Sequence, residues 1–206
     1  MPNTLKRALL LLAVVSMLAI SLCGCGGDTP NSSDPAASAS AGELSKGNSV
    51  TVGIAQDIDS LDPHKAVNAG TSEVLFNIFE GLMKASPDGG VEHAVASDYE
   101  MSEDGKTYTF TLREGVTFHN GEKVTVDDVL YSLNRCVGSE NNGVPLIAAF
   151  SNVGRIYMAD DKTVVVELKE PSLEFLNSMT AAIIPNGSGD KISADPVGTG
   201  PFSQAS

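Results

Sequence analysis

The stretch that most constrains this chain runs from Asp104 to Arg135, DGKTYTFTLREGVTFHNGEKVTVDDVLYSLNR. It reads as two short strands followed by a helix. Asp104-Gly105 is a turn pair, because glycine reaches the backbone angles of a tight turn without steric cost. Tyr108, Phe110 and Leu112 alternate with Thr107, Thr109, Thr111 and Arg113. A period of two places the rings and the leucine on one face of a half-buried strand. Glu114-Gly115 ends that strand, Val116 and Phe118 alternate again, and Asn120-Gly121 makes a second turn. Thr125 then offers a helix N-cap, with Asp128 three residues on as its capping-box partner. Asp127 and Asp128 stand where the helix dipole favours negative charge. Val126, Val129, Leu130 and Leu133 form one apolar stripe at helical spacing.

This stretch resembles the signature region of the family 5 extracellular solute-binding proteins, the peptide- and nickel-binding receptors of ABC importers. Three further pieces agree in the family's order: SLDPHK (Ser60 to Lys65) before a segment ending FEGLMK (Phe79 to Lys84), then DDKTVVVELKEPSLEFL (Asp160 to Leu176), then DPVGTGPF (Asp195 to Phe202). The resemblance spans roughly residues 49 to 202. It departs at one place: where the family has a segment like LAESW, this chain has ASDYE, with Tyr99 left to supply the aromatic group and no Trp anywhere.

Composition bounds the function. The chain has 206 residues, 13 Lys and Arg against 26 Asp and Glu, and a formal charge of −13. Such acidity argues against nucleic acid or an anionic membrane surface as a partner, and its simplest meaning is solubility. Residues 1–24 read as a leader: Lys6 and Arg7, then an apolar run from Ala8 to Ile20 too short for a membrane span. Leu22-Cys23-Gly24-Cys25 resembles a lipobox, which would place a lipid on Cys25; an ordinary secretory signal is the alternative. Residues 25–48 are rich in Ser, Ala, Gly, Asp and Pro and read as a flexible tether. Cys136 is then the one thiol of the folded part, so no internal disulfide is available, and its place at the end of the helix makes it a packed structural thiol.

The remaining elements follow from pattern. Val50, Val52 and Ile54 alternate as a first strand. Ser72 caps a helix whose buried side carries Val74, Leu75, Ile78, Phe79, Leu82 and Met83, with Gly81 allowing close packing or an early end. Val91 to Met101 is irregular or short strand, Pro145 to Phe150 a helical turn, and Val153 to Met158 extended. Val164, Val166 and Leu168 alternate on a strand, and Pro171-Ser172 opens a short helix through Leu173, Leu176 and Met179. VGTGP lacks the Lys-Ser/Thr of a phosphate loop and reads as a tight backbone crossing. His64, His93 and His119 have no metal-site spacing and read as surface or capping histidines. No nucleophile has a partnered base in view, so neither an enzyme, a cofactor nor a metal is expected.

The resemblance implies more than the residues alone do. It implies a mixed α/β fold of the type II periplasmic-binding-protein kind, with two lobes that close on solute about a hinge. Residues 49–73 and 184–206 would form part of lobe I and 74–183 an accessory subdomain. The second lobe, which in the family carries the acidic anchor for a peptide amino terminus, would be absent, so the chain is expected to be truncated and to bind no peptide tightly alone. Peptide ligands are held through their main chain like an added strand. The loop after the DPHK-like motif borders the cleft, making Val67, Asn68, Ala69 and Gly70 the candidate ligand contacts; a plain connecting loop is the alternative. The implied partners are a peptide or related small solute, permease subunits, and the membrane through the lipid on Cys25. A surface lipoprotein that keeps the accessory subdomain as a docking module, a non-functional gene fragment and an exported enzyme are the competing readings.

Overall fold

The computed structural model describes residues 51–205; the leader, Cys25, the tether over 25–48 and Val50 lie outside them. The architecture is built around β4 (Thr107–Leu112), the strand expected from the Tyr-Phe-Leu alternation, whose Tyr108, Phe110 and Leu112 are buried. On one side β4 pairs with β3 (Ala96–Met101), on the other with β6 (Thr163–Leu168), and β6 pairs with β5 (Val153–Asp160). All pairs are antiparallel and the sheet order is β3-β4-β6-β5. Register sets Phe110 opposite Val164 and Tyr108 opposite Val166, so the two inner faces coincide along the centre of the sheet. A separate pair joins β1 (Met83–Ala85) to β2 (Val91–His93).

The expected helix forms as α2 (Val126–Val137) and packs on β5 and β6. Its start is fixed as the residues dictate: Asp128 N–H donates to Thr125 Oγ1 at 3.4 Å, and Thr125 N–H donates back to Asp128 Oδ2 at 2.8 Å. Gly138 ends it in the left-handed region, φ 96°. Val126, Val129 and Leu133 are buried and Leu130 is half-buried. Cys136 is fully buried, and burial pushes its thiol up to about 12, which keeps it protonated and inert.

Tyr108, Phe110, Phe150 and Phe175 form a ring cluster with centroids 5.7–6.3 Å apart, the spacing at which aromatic pairs gain beyond area burial. Tyr99 stands 6.0 Å from Phe110 and supplies an aromatic group at the edge of this cluster. A second, smaller apolar cluster gathers Leu75, Phe79, Ile184 and Ile192.

Five expectations change. Residues 51–54 form no strand, and Val52 is 76% exposed; a strand needs a neighbour for its N–H and C=O groups, and none among the described residues runs beside it. The helix after the SLDPHK motif, α1 (Ala69–Leu75), starts behind Asn68 and not Ser72, whose hydroxyl donates back to the Asn68 carbonyl. It also stops before Met83. Ile78 N–H bonds Leu75 O in a tightened last turn, and Leu82 O then accepts the N–H groups of Ala94 and Ala96, which holds the chain extended. Val116 and Phe118 do not make a second strand: Phe118 is buried, but the segment has a single bridge, Thr117 to Lys123. The helix after Pro171 is one turn, α3 (Phe175–Ser178), with Leu173 74% exposed. There the Ser172 carbonyl accepts the Tyr108 hydroxyl at 2.6 Å and Phe175 is drawn into the ring cluster.

The reading of VGTGP as a close crossing holds. A Cβ on Gly198 or Gly200 would overlap the Ile78 carbonyl, so only glycine lets the two backbones meet. His119 clamps the crossing: its Nδ1 accepts the Gly198 N–H and its Nε2–H donates to the Gly200 carbonyl at 2.9 Å. His119 is therefore a packing group and not a surface cap.

Phe110 lies in the middle of the central strand at full burial. Phe110→Ala should therefore cost about 3–5 kcal/mol. Urea unfolding of the variant checks this, and a loss under about 0.5 kcal/mol would place the ring outside the core.

Candidate functional site

The segment from Asp59 to Gly70 leads from the SLDPHK motif into α1, and three interactions shape it. The Asp59 carboxylate accepts the backbone N–H groups of Val67 at 2.8 Å and Asn68 at 3.4 Å. Thr71 and the Val67 amide hold the Asp59 carboxyl below its ordinary value. Asn68 Nδ2 donates to the Asp57 carbonyl at 3.3 Å. The loop is thus closed on itself by short-range polar contacts before it meets anything else.

Beneath the loop is the second feature, a buried ionic cluster. Arg135 and Asp62 are each 2% exposed and His64 is 3% exposed. Arg135 grips Asp62 with both terminal nitrogens, Nη1 to Oδ1 at 2.9 Å and Nη2 to Oδ2 at 2.6 Å. The same Nη1 donates to His64 Nδ1 at 2.9 Å, so His64 carries its proton on Nε2, which donates to the Ala182 carbonyl at 2.8 Å. Arg135 Nη2 also reaches the Gly189 carbonyl at 3.4 Å. Arg135 Nε makes no hydrogen bond, and its nearest acid is Glu140 Oε2 at 3.4 Å.

Electrostatics follow from this geometry. Burial alone would raise the Asp62 carboxyl, but the Arg135 fork outweighs it and holds the group below its usual value. Burial would likewise lower Arg135, and Asp62 reverses that. Both partners are therefore charged. For His64, burial comes first and the Arg135 charge adds to it; both push the imidazole below its ordinary value and keep it neutral.

One face of α2 is what places Arg135. Asp128, Ser132 and Arg135 are buried at helical spacing beside the apolar stripe. Asp128 Oδ1 accepts the Asn186 N–H, and Ser132 Oγ accepts the Ile184 N–H at 2.9 Å. The helix thus holds the 182–189 segment with one polar row and the sheet with its apolar row. Sequence pattern alone marks Asp128 as a capping and dipole residue and His64 as a surface or capping histidine. The 128-132-135 spacing was the signal for the polar row. Nothing in sequence spacing ties Arg135 to Asp62, which lies 73 residues upstream.

Above the cluster opens a cavity of ≈ 540 Å³, within the usual range of small-molecule sites. Its wall includes His64, Lys65, Val67, Phe76, Leu146 and Ala182. Of the four residues expected to contact ligand, Val67 lines it; Asn68, Ala69 and Gly70 sit behind, at the cap and first turn of α1. The lining is mainly apolar, with Lys65, Ser72, Ser178 and Thr180 among its polar members. Among the described residues no group of His, Cys, Asp and Glu could hold a metal ion, and no helix is long and apolar enough to cross a membrane.

Removing one partner of the buried pair should be expensive. Asp62→Asn leaves the guanidinium without its counter-charge and should cost about 3–5 kcal/mol in urea unfolding; a loss near zero would mean that Arg135 is solvated. The pair's contribution is present above the ordinary carboxylate pKa of about 3.9 and goes as pH falls through the lower folded value. His64 acts higher up: the unfolded imidazole takes a proton below about pH 6.5 while the folded one resists, so stability should already decline there. Unfolding free energies between about pH 7 and pH 5 check the sign.

Comparison with known proteins now gives this geometry a context. The family model described as bacterial extracellular solute-binding proteins, family 5 Middle, matches residues 90–206. The glutathione-binding protein GsiB of Salmonella typhi is 32% identical over 160 residues, which are 74% of this chain and 31% of that protein. The oligopeptide-binding protein OppA of Bacillus subtilis is 30% identical over 185 residues, 82% of this chain and 33% of that protein. Among solved structures, the binding protein AgaA from A. tumefaciens R10 in complex with agropinic acid superposes with a TM-score of 0.64 at 31% identity. It covers 73% of this chain and 32% of its own. The chain therefore spans about a third of the length of the relatives it matches. The described fold is the mixed α/β one of type II periplasmic binding proteins, and the chain belongs to the bacterial extracellular solute-binding proteins of family 5.

Proposed function

We propose that this chain serves as the solute-binding component of an ABC importer, capturing peptides or related small solutes outside the membrane for delivery to permease subunits. The observation that carries the reading is the family match over residues 90–206, joined to a cavity rimmed by the loop that follows the DPHK-like motif. The relatives named for glutathione, oligopeptide and agropinic acid set the expected class: small, polar, flexible solutes. In this reading the role is capture and presentation, with no chemical step. Residues 49–73 and 184–206 act as the lobe I part and 74–183 as the accessory subdomain; the smaller apolar cluster joins the two parts, with Leu75 and Phe79 from 74–183 packed on Ile184 and Ile192 from 184–206.

Val67, Asn68, Ala69 and Gly70 are the proposed solute-side segment. Val67 offers its side chain to the cavity, and the other three set its position from the start of α1. Lys65 is the charge nearest to hand for a solute carboxylate. A wall open on one side encloses little of a ligand, so affinity from this wall alone should be near millimolar, about 4 kcal/mol weaker than a micromolar site. Amide shifts of the isotope-labelled chain, titrated with di- to pentapeptides, test this. Movement centred on Lys65, Val67, Leu146 and Ala182 is expected; no movement up to about 10 mM peptide, which lies above that affinity, would sink the assignment.

The reading includes an export signal over 1–24, a lipid on Cys25 and a tether over 25–48 that holds the folded part off the membrane. Cys25→Ala should move the protein from the membrane fraction to the soluble one with a loss of mass. An unchanged fraction and mass would remove the lipid from the proposal.

A further inference from the structure

Two separated segments form adjoining parts of the cavity wall: the loop around Lys65 and Val67, and the stretch around Ala182. One side chain bridges them. His64 sits in the wall with its backbone N–H on Asp62 Oδ1, its Nδ1 on Arg135 and its Nε2–H on the Ala182 carbonyl. Every polar atom it owns other than its carbonyl is spent on this bridge. We propose that neutral His64 is the positioning residue of the cavity, a clasp that fixes the loop against the 180–182 wall and lets go when it is protonated.

The geometry opposes protonation of the ring in place. An imidazolium would turn Nδ1 into a donor aimed at the Arg135 donor 2.9 Å away, with like charges in a buried site. The charged and titratable groups around His64 are Asp62 and Lys65 on its own loop, Arg135 and Tyr131 on α2, and Glu140 just beyond it. Burial opposes the new charge first and Arg135 adds to it; the Ala182 carbonyl and the Asp62 carboxylate favour it but do not outweigh them. A proton is therefore taken up only after the loop has swung His64 into water. Acid shifts that opening equilibrium by the protonation of the released ring: between about pH 7 and pH 5 a free imidazole of pKa about 6.5 gains roughly 25-fold. What this does to a captured solute rests on the cavity being the solute's wall; the motion of the loop does not.

Hydrogen exchange on the full chain reads the clasp without any solute. The amides of Lys65 and Ala66 both bond to the Asp62 carbonyl and report loop opening, while those of Leu112 and Leu168 bond to the Lys162 and Lys106 carbonyls and report the sheet. Wild-type protection, corrected for intrinsic rates, should fall about 25-fold at Lys65 and Ala66 between about pH 7 and pH 5 while the sheet amides stay far more protected. His64→Gln keeps one acceptor and a donor but cannot titrate; it should retain loop protection at about pH 7 and abolish the pH dependence. His64→Ala should open the loop at both pH values with the sheet amides still far more protected than the loop. The proposal is overturned if loop protection does not respond to pH, if the response persists in His64→Gln, or if the loop amides are as protected as the sheet amides at both pH values, so that both exchange only by global unfolding. The failure of peptides to bind would leave this result standing, so the clasp and the solute reading fail separately.

Discussion

A guanidinium taken out of water must find its counter-charge, and in this protein that requirement governs the arrangement of three distant segments. Arg135 is carried into the interior by α2 because Val129, Leu133 and Cys136 bury the neighbouring stripe. Once there, an isolated charge would cost several kcal/mol. Asp62 and the Gly189 carbonyl both answer it. A choice made by helix-on-sheet packing thus becomes the position of a loop 73 residues upstream. The planar fork of arginine matters in this, since two parallel bonds set the plane of the Asp62 carboxylate as well as its distance. A lysine at 135 would offer a point charge and leave the loop free to turn about it.

The sheet provides what that arrangement stands on. β4 is paired on both edges, and its inner residues meet their counterparts on β6 in register. The ring cluster then ties α3 to the sheet through Phe175, with the Tyr108 hydroxyl satisfying the Ser172 carbonyl. From there the chain runs through Met179, whose carbonyl accepts the Met83 N–H, to Ala182 at the cavity. The cavity wall hangs from the sheet at one end and from the ionic cluster at the other. The outer strands carry register shifts, one in the β3 pairing and two in the β5 pairing, a known means of blunting a sheet edge.

Where the sequence was legible, one local rule sufficed. Tyr108, Phe110 and Leu112 needed only period two; Thr125 and Asp128 needed only the capping box; the glycines of VGTGP needed only a close crossing. Where it was not, a longer-range partner decided. Leu82 and Met83 fit a helical stripe, and they are buried, but backbone bonds from residues 94–96 and to Met179 draw them into an extended segment. His64 looked like a polar residue in a turn-rich motif, because the neighbours that bury it come from α2 and from residue 182. The family resemblance pointed to the loop after the DPHK-like motif, and Val67 of that loop lines the cavity. It could not say that Val67 faces the cavity while Asn68 caps a helix behind it, since that depends on Asp59 folding the loop over its own carboxylate.

That last interaction bears on how a wall of this kind meets a solute. The Val67 N–H, and more weakly the Asn68 N–H, is spent on Asp59. A peptide lying along the loop in the proposed reading finds those donors taken, and an added strand needs both donors and acceptors from the edge it joins. The loop can then contribute carbonyl acceptors and the exposed Val67 side chain, but few main-chain donors. The Thr180 hydroxyl is spent on the Asn177 carbonyl, which leaves Lys65, itself 3.6 Å from Asp62, as the charged donor near the cavity, and an ammonium on a flexible stem tolerates many carboxylate positions where a backbone amide tolerates one. In the proposed reading such a wall favours breadth over selectivity, with apolar area and one mobile charge to hold a class of solutes. Its precision lies in the clasp beneath, where every distance is fixed by a buried ion pair and a single neutral imidazole.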